Sequence, residues 1–574
     1  MKQFWINTGN FFRFYWRMIF AISWFILLTI ILIMYNSSEI RCLFVILLMA
    51  GYWVTEAIPV PITSMIPVVL FPIFGIMNTT ETVNCYMNDP IIVFMGGLIL
   101  AFATEHCNLH MRIALIVMKI VGCSHSKLLG GLCTVTTFIS MWIANAAATA
   151  MMVPIVFAVL YELERVLFII ILFSSMWYHR NQGLGKVFHV IIDPNEPDAD
   201  PELKPTNVTK AYFLAAAYAS TFGGTGTLVG TPTNLVFKGI YEYTFPEADP
   251  ITFGNWIAAC FPQMAINTFI LWIHLRIAYL GFLRPKSKDA EAAKIGPEGE
   301  KIANQVIIEK LKEIGPMSFH ETIVSILFLT CIFLWIFRAP GFIIGWAELI
   351  TDVEIKDSTP VMLICLLMLY IPRDPDFIYS WSRDPEKRPW GPSEGLITWN
   401  MIQRKMPWRL IFLLGGGFAI SKGSNKSCLA MKIGHLLLPL KHLHPISLLC
   451  IVLLFIGTLT EITSNVGTAN IVIPIVAHMS TAMKVHPLYL MVPSTIMCSY
   501  GFRLPVSTPP NAIVSIAAHI RTPMLIVGGF LPAIYTLLIQ IVTFPLLGTL
   551  VFGTDKFPEW AEKKVALSSD EHCN

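Results

Sequence analysis

Apolar residues are gathered into long runs with short polar stretches between them. At about 20 residues per helical crossing, those runs accommodate roughly ten to twelve membrane passes. The first covers residues 14–35, with Lys2 and Arg13 ahead of it and Arg17 in its first turn. Basic flanks stay on the inner side, so the N-terminus is expected in the cytoplasm. The run lacks a small-residue cleavage site, which predicts a retained helix rather than a signal peptide. A second run begins near Cys42 and is split by Pro59 and Pro61 into two shorter helices. Glu56 sits at that split, placed to cap the following helix, with a functional role at membrane depth as the alternative.

Residues 91–122 carry Gly96-Gly97 and turn polar at Glu105, His106 and His110. The two histidines have a metal-binding spacing on a helix but no HExxH pattern, so they read as interfacial polar ends. From Leu128 to Met176 the run is interrupted only around Asn145 and Glu162–Arg165. An apolar half, a small polar tip and another apolar half outline a re-entrant hairpin. Residues 178–210 read as an exposed loop, rich in Asp, Pro and Lys. In the next run Gly223, Gly224, Gly226 and Gly230 break the helix; no Lys-Ser/Thr follows, so this is not a P-loop. A clean span at 256–283 precedes a charged segment, 284–316, expected in the cytoplasm with Arg284, Lys286 and Lys288 at the membrane edge. Spans follow near 319–337 and 359–372. In the loop 373–407, Gly391–Gly395 matches the G-x-S-x-G esterase pattern without the strand–turn–helix that pattern needs. The last apolar region, 408–553, ends in a short polar tail from Asp555.

The interruptions recur. MWIANAAATAMMVPI, from Met141, has its counterpart in TEITSNVGTANIVIPI, from Thr460: Asn145 and Asn465 are 320 residues apart, as are Pro154 and Pro474. Gly96-Gly97 and Gly416-Gly417 keep the same offset. A second pair, Gly230-Thr-Pro-Thr-Asn234 and Ser507-Thr-Pro-Pro-Asn511, is 277 apart, which fits a polar insertion in the first half only. The chain is an internal duplication whose copies break their helices at matching places. Broken backbone survives at membrane depth only where it is packed in protein or lines a cavity. Paired breaks in a duplicated membrane protein point to a binding site between the halves.

Composition agrees with this reading. Of 574 residues, 55% are hydrophobic and 13% charged, far below the charge of soluble domains. The net charge of +3 implies no nucleic-acid partner. The twelve cysteines are scattered, without CxxC or Cys/His clusters, so neither a disulfide framework nor a metal site is indicated. Sequons at Asn36, Asn78, Asn207 and Asn425 are too short a pattern to carry weight. No nucleophile–base pattern suggests an enzyme, and no cofactor is implied.

A broken helix offers free N–H donors at one end and free carbonyls at the other. Donors with Asn and Thr side chains suit carboxylate oxygens; carbonyls and hydroxyls suit sodium. Neither tip contains lysine or arginine, and the nearest basic residue is Arg503. It is either a helix-end residue reaching the interface or an attractor of anionic substrate.

On these residues, and on GGTGTLVGT, PWRLIFLLGGGFAI and LPVSTPPNAIV, the sequence resembles the divalent anion/sodium symporter family of dicarboxylate, citrate and sulfate carriers. EHCNLH, NLVFKGIYE and HPLYL are shared with its insect "I'm not dead yet" branch. The resemblance covers nearly the whole chain. It implies an all-α polytopic membrane protein, a homodimer with about eleven transmembrane helices per subunit plus two re-entrant hairpins in two inverted repeats, working by an elevator mechanism in the cell membrane. Scaffold parts would lie at 14–122 and 317–440, transport parts at 128–283 and 446–553, and a cytoplasmic linker at 284–316. Within the first transport part, 211–245 would be the broken helix.

Carried over by motif, Asn145, Ala146, Gly230, Thr231, Asn465, Val466, Thr508 and Pro509 would meet citrate or a dicarboxylate. One cation position would involve Ser140, Ala144, Asn145 and Gly230; the other Thr460, Thr463, Asn465 and Ser507. The first departs from the family: Ala144 stands for serine, Ala146 for a frequent threonine, and Val229 for a polar residue. A methyl group cannot replace an oxygen ligand, so sodium coupling is expected to be weakened or absent there, in line with the cation-independent exchange of the insect branch. A sulfate carrier on the same scaffold and a carrier-like regulator without transport are the rival expectations.

Overall fold

The computed structural model describes residues 2–562 apart from 123, 175–187, 192–201, 288–289, 291–296, 340–343, 383, 385, 387, 390, 430–431 and 434–441. In chain order the helices are α1 (Lys2–Met34), α2 (Ser38–Thr55), α3 (Val60–Ser64), α4 (Ile66–Ile73), α5 (Thr79–Val83), α6 (Asp89–His106), α7 (Leu109–Val121), α8 (His125–Ser140), α9 (Asn145–Ser174), α10 (Asn207–Thr225), α11 (Pro232–Thr244) and α12 (Phe253–Ala278). The second half continues with α13 (Pro297–Ile314), α14 (Phe319–Ile336), α15 (Trp346–Ile350), α16 (Ser358–Tyr370), α17 (Trp399–Lys405), α18 (Trp408–Lys426), α19 (Pro445–Ile462), α20 (Asn465–Ala482), α21 (Pro487–Cys498), α22 (Pro509–Ala517) and α23 (Thr522–Phe552).

Helix boundaries follow local chemistry. Ser37 and Asn88 accept from the amides of Ile40 and Ile91, capping α2 and α6. Ser318 and Glu321 form a reciprocal capping box at the start of α14. The expected split after α2 is present, and α3 and α4 follow it. Glu56, however, does not cap the following helix. It ends α2 in the left-handed region (φ 49°), and its carboxylate lies 2.6 Å from Arg409. Pro59 takes the cap position of α3 and offers no side-chain acceptor.

A short hairpin accompanies the helices. β1 (Phe188–Ile191) and β2 (Glu202–Pro205) pair antiparallel, with Phe188 opposite Pro205 and Ile191 opposite Glu202. They fall in the segment expected to be a plain loop, whose residues 178–187 and 192–201 lie outside those described.

Among the described residues, seven helices are long and apolar enough to cross a membrane; four shorter apolar helices accompany them. Burial sorts these helices. Every residue of α21 is buried, and so is α10 from Ala211 to Thr225. By contrast α23 presents Val527, Leu538, Val542, Leu546 and Leu550 outward, and α19 presents Ile451, Leu454 and Phe455. Apolar residues on the outer face of membrane-length helices are what lipid contact requires. The protein is a multi-pass membrane protein with α10, α11, α20 and α21 in its interior.

Candidate functional site

The expected tips are real interruptions. α8 stops at Ser140 and α9 restarts at Asn145; α19 stops at Ile462 and α20 restarts at Asn465. The same hydrogen-bond arrangement holds both. Ser140 Oγ lies 2.7 Å from the Ser220 carbonyl and 3.0 Å from Asn145 Oδ1. Thr460 Oγ1 lies 2.5 Å from the Cys498 carbonyl and 3.2 Å from Asn465 Oδ1. In each case one hydroxyl proton is shared between a carbonyl of the neighbouring buried helix and the tip asparagine.

Those neighbouring helices are broken too, and again in the same way. Between α10 and α11 the chain unwinds from Gly226 to Thr231; between α21 and α22 it unwinds from Ser499 to Thr508. Asn234 donates from Nδ2 to the carbonyls of Gly224 (3.0 Å) and Thr227 (2.7 Å). Asn511 donates from Nδ2 to the carbonyls of Gly501 and Leu504, both at 3.1 Å. Every partner recurs at the offset of 277. These asparagines clamp the unwound turns, because buried carbonyls released from a helix need another donor. They were visible in the repeated motif, but not their role as clamps.

The tips seat directly on the unwound turns. A Cβ at Gly224 would come within 2.3 Å of Asn145 Oδ1, and one at Gly230 within 2.6 Å of the Gly224 carbonyl. Only glycine permits that approach. Thr227 donates from its hydroxyl to the Met141 carbonyl and accepts from the Gly230 amide at 3.1 Å. In the second copy a Cβ at Gly501 would lie 2.8 Å from Ser507 Cβ, and the Ser507 hydroxyl donates to Leu504 O at 2.7 Å.

The two copies are joined into one buried cluster. Asn465 Nδ2 donates to Ser499 O at 3.3 Å, and Ser499 Oγ is 2.7 Å from Thr233 Oγ1 on α11. Tyr218 on α10 donates to Phe502 O at 3.1 Å. α11 packs against α20 and α21, while α22 packs against α9 and α10. Asn145 is thus linked to Asn465 through Gly224, the clamp of Asn234, Thr233 and Ser499. Ser220 and Ser499 belong to this cluster and lay outside the repeated motifs; Thr233 lies within the Gly230–Asn234 motif, but the sequence did not show its partner.

Thr231 and Thr508 occupy equivalent places, each extended at the N-cap of its half-helix, without capping it, and 4% and 1% exposed. Thr231 Oγ1 accepts from Thr233 at 3.4 Å, and Thr508 Oγ1 makes no hydrogen bond among the described residues. Neither hydroxyl proton is spent. Val466 is buried, Ala146 half-buried and Pro509 exposed.

The copies differ in oxygen content. In the second tip Ser464 Oγ accepts from the Gly467 amide at 3.2 Å, and Thr463 and Thr468 hydroxyls lie 2.5 Å apart. Their counterparts are Ala144, Ile143 and Ala148. Ala144 supplies only its carbonyl, to the Ala148 amide at 3.0 Å. Arg503 is not a free attractor: Glu461 Oε1 binds its Nε at 3.1 Å and also accepts from the Phe502 amide. His106 faces His320 edge-on at 5.3 Å, and no group of three or more His, Cys, Asp or Glu among the described residues could hold a metal. Gly391–Glu394 is an exposed stretch without helix or strand.

The sequence model of the sodium:sulfate symporter transmembrane region matches residues 12–553. The chain belongs to this family. Protein "I'm not dead yet" of Drosophila melanogaster is 42% identical over 576 residues, covering 99% of this chain and 95% of that protein. Two Mus musculus relatives are the Na(+)/dicarboxylate cotransporter 3, 34% identical across 92% of this chain and 91% of its own length, and the Na(+)/citrate cotransporter, 35% identical across 94% and 96%. The family is one of membrane transporters.

Proposed function

We propose that this protein is a secondary transporter of citrate and dicarboxylates such as succinate, fumarate, malate and 2-oxoglutarate, not an enzyme. The names of the relatives support that substrate class. The observation that carries the reading is the matched pair of breaks, each holding an asparagine against an unwound turn beside a threonine with an unspent hydroxyl. Asn145, Asn465, Thr231 and Thr508 would offer N–H and O–H donors to the carboxylates, with half-helix N-termini adding partial positive charge. Ala146, Gly230, Val466 and Pro509 would shape the walls. With no lysine or arginine in either tip, binding stays weak enough for release, as a carrier needs.

The site sits in an arrangement of about eleven membrane helices and two re-entrant hairpins in inverted repeats. The segments 128–283 and 446–553 would move as the transport part against the scaffold parts 14–122 and 317–440, with 284–316 as cytoplasmic linker. We take the carrier to be a homodimer in lipid at the plasma membrane, with a cytoplasmic N-terminus. Transport is cation-independent or weakly sodium-coupled, with exchange as one mode. The hydroxyl-rich second position, Thr460, Thr463, Asn465 and Ser507, suits sodium, whereas the first keeps only Ser140, Asn145 and the backbone at Ala144 and Gly230.

The deciding measurement is flux of labelled citrate and succinate into proteoliposomes, with sodium replaced by choline and with or without substrate inside. Uptake in choline, competed by succinate but not sulfate, is the expected result. Competition by sulfate alone would make this an inorganic-anion carrier, and no flux under any condition would leave a carrier-like regulator.

A further inference from the structure

Lys238 lies two turns into α11, downstream of Thr231, and is 2% exposed. Its ammonium meets a carboxylate on each of three sides. Asp357, fully buried at the start of α16, is its closest partner; Glu242 on α11 lies at 3.7 Å and Asp89 at the start of α6 at 3.9 Å. Arg338 supplies the other cation, with Nε 2.7 Å from Asp357 and a second N–H on the Ile355 carbonyl at 2.7 Å. Asp89 uses Oδ1 to accept from the Ser358 amide, but its buried Oδ2 has no hydrogen bond. Two cations therefore face three carboxylates, and the ammonium occupies a position surrounded by carboxylate oxygens.

Charges in a membrane interior persist only when compensated. Without Lys238 the cluster would keep three carboxylates facing Arg338, with the exposed Lys356 reaching only Glu242, and something positive would have to enter. We propose that Lys238 is a tethered cation. It holds the first broken helix against α6 and α16 with an attached ammonium, in place of a free sodium ion, and so helps set the cation independence of this carrier. The second clause rests on the transport reading above; the first does not. Lys238 is thus a positioning residue for α11, whose first turn carries Thr233 and whose cap is Thr231.

The test compares full-length wild type with Lys238→Ala and Lys238→Arg, each in sodium and in choline, by thermal unfolding of purified protein and by citrate and succinate uptake. Lys238→Ala opens room for sodium among the oxygens. In choline it should unfold at lower temperature and lose uptake by about tenfold or more, as expected when one partner of a buried ion pair is removed. Sodium should restore both in proportion to its concentration, because an ion that binds only the folded state stabilises it. Lys238→Arg should behave as wild type. A lost cavity filler alone would give no sodium response, so a Lys238→Ala protein indifferent to sodium overturns the proposal. If Lys238→Ala fails to fold, Lys238→Ala with Asp357→Asn restores the wild-type charge balance. That double variant folding without a sodium response supports the proposal, and its failure to fold overturns it. Wild type without flux would sink the transport reading while the unfolding measurements still judge Lys238.

Discussion

Oδ1 of Asn465 accepts from the Thr460 hydroxyl at 3.2 Å, and the same relation, Ser140 to Asn145 at 3.0 Å, stands 320 residues earlier. A hydroxyl at the end of one half-helix thus orients the amide that opens the next. Holding Oδ1 inward turns Nδ2 toward other acceptors, and in the second copy that acceptor is Ser499 O. Asn465→Ala and Asn145→Ala should each lower uptake by about ten- to a hundredfold, since each leaves buried partners without their bond at about 1–3 kcal/mol. Proteoliposome uptake, with gel filtration to confirm folding, checks this; near-wild-type uptake in both variants would remove the tips from the site.

Gly224 tests the seating of the first tip. An alanine Cβ there would need to occupy space 2.3 Å from Asn145 Oδ1. Gly224→Ala should cut uptake as deeply as loss of Asn145 itself, while combining the two should cost little more than either alone. Uptake by the double variant is the measurement, and simple additivity would count against a shared contact.

Ala144 should accept serine with gain. Ser464 caps α20 through the Gly467 amide, and Ala144 leaves the matching amide of α9 without a side-chain acceptor. Ala144→Ser should raise stability by about 1 kcal/mol, the usual worth of an N-cap. It should also make uptake rise with sodium. If uptake by Ala144→Ser stays as insensitive to sodium as that of wild type, the missing hydroxyl is irrelevant to coupling.

The clamps carry a stability prediction that does not depend on substrate. Asn511→Leu removes the donors to Gly501 O and Leu504 O, and Asn234→Leu those to Gly224 O and Thr227 O. Each variant should be destabilised by about 1–3 kcal/mol per carbonyl left unpaired. Thermal unfolding in detergent reads it directly, and unchanged midpoints would mean the unwound turns hold themselves.

His486 supplies a pH dependence at the edge of α21. Its Nδ1 accepts from the Leu488 amide at 3.1 Å, and burial pushes its pKa down to about 4. The unfolded chain binds a proton below its ordinary value of about 6.5, where the folded protein still does not. Its contribution is therefore full above pH 6.5 and lost progressively as pH falls toward 4. Unfolding midpoints at pH 5 and pH 7 should differ in wild type and converge in His486→Asn, which keeps a capping oxygen but does not titrate. A pH response that survives the substitution would assign it to other groups.

Much of the site could be read from the chain alone because small polar residues inside apolar runs are rare, and two copies at one offset are rarer. Asn145 and Asn465 and the Thr-Pro steps after them fall at breaks, whereas Gly96-Gly97 and Gly416-Gly417, at the same offset, lie inside α6 and α18. Partners in space were hidden. Glu56 joins Arg409 rather than capping its neighbour, and Arg503 is held by Glu461. Lys238 and Asp357, 119 residues apart, meet in the interior. Local sequence determined where helices must stop, since proline, glycine and caps act within a turn. Tertiary packing decided which buried charges and hydroxyls meet, since a polar group cut off from water takes whichever partner the fold brings within bonding distance.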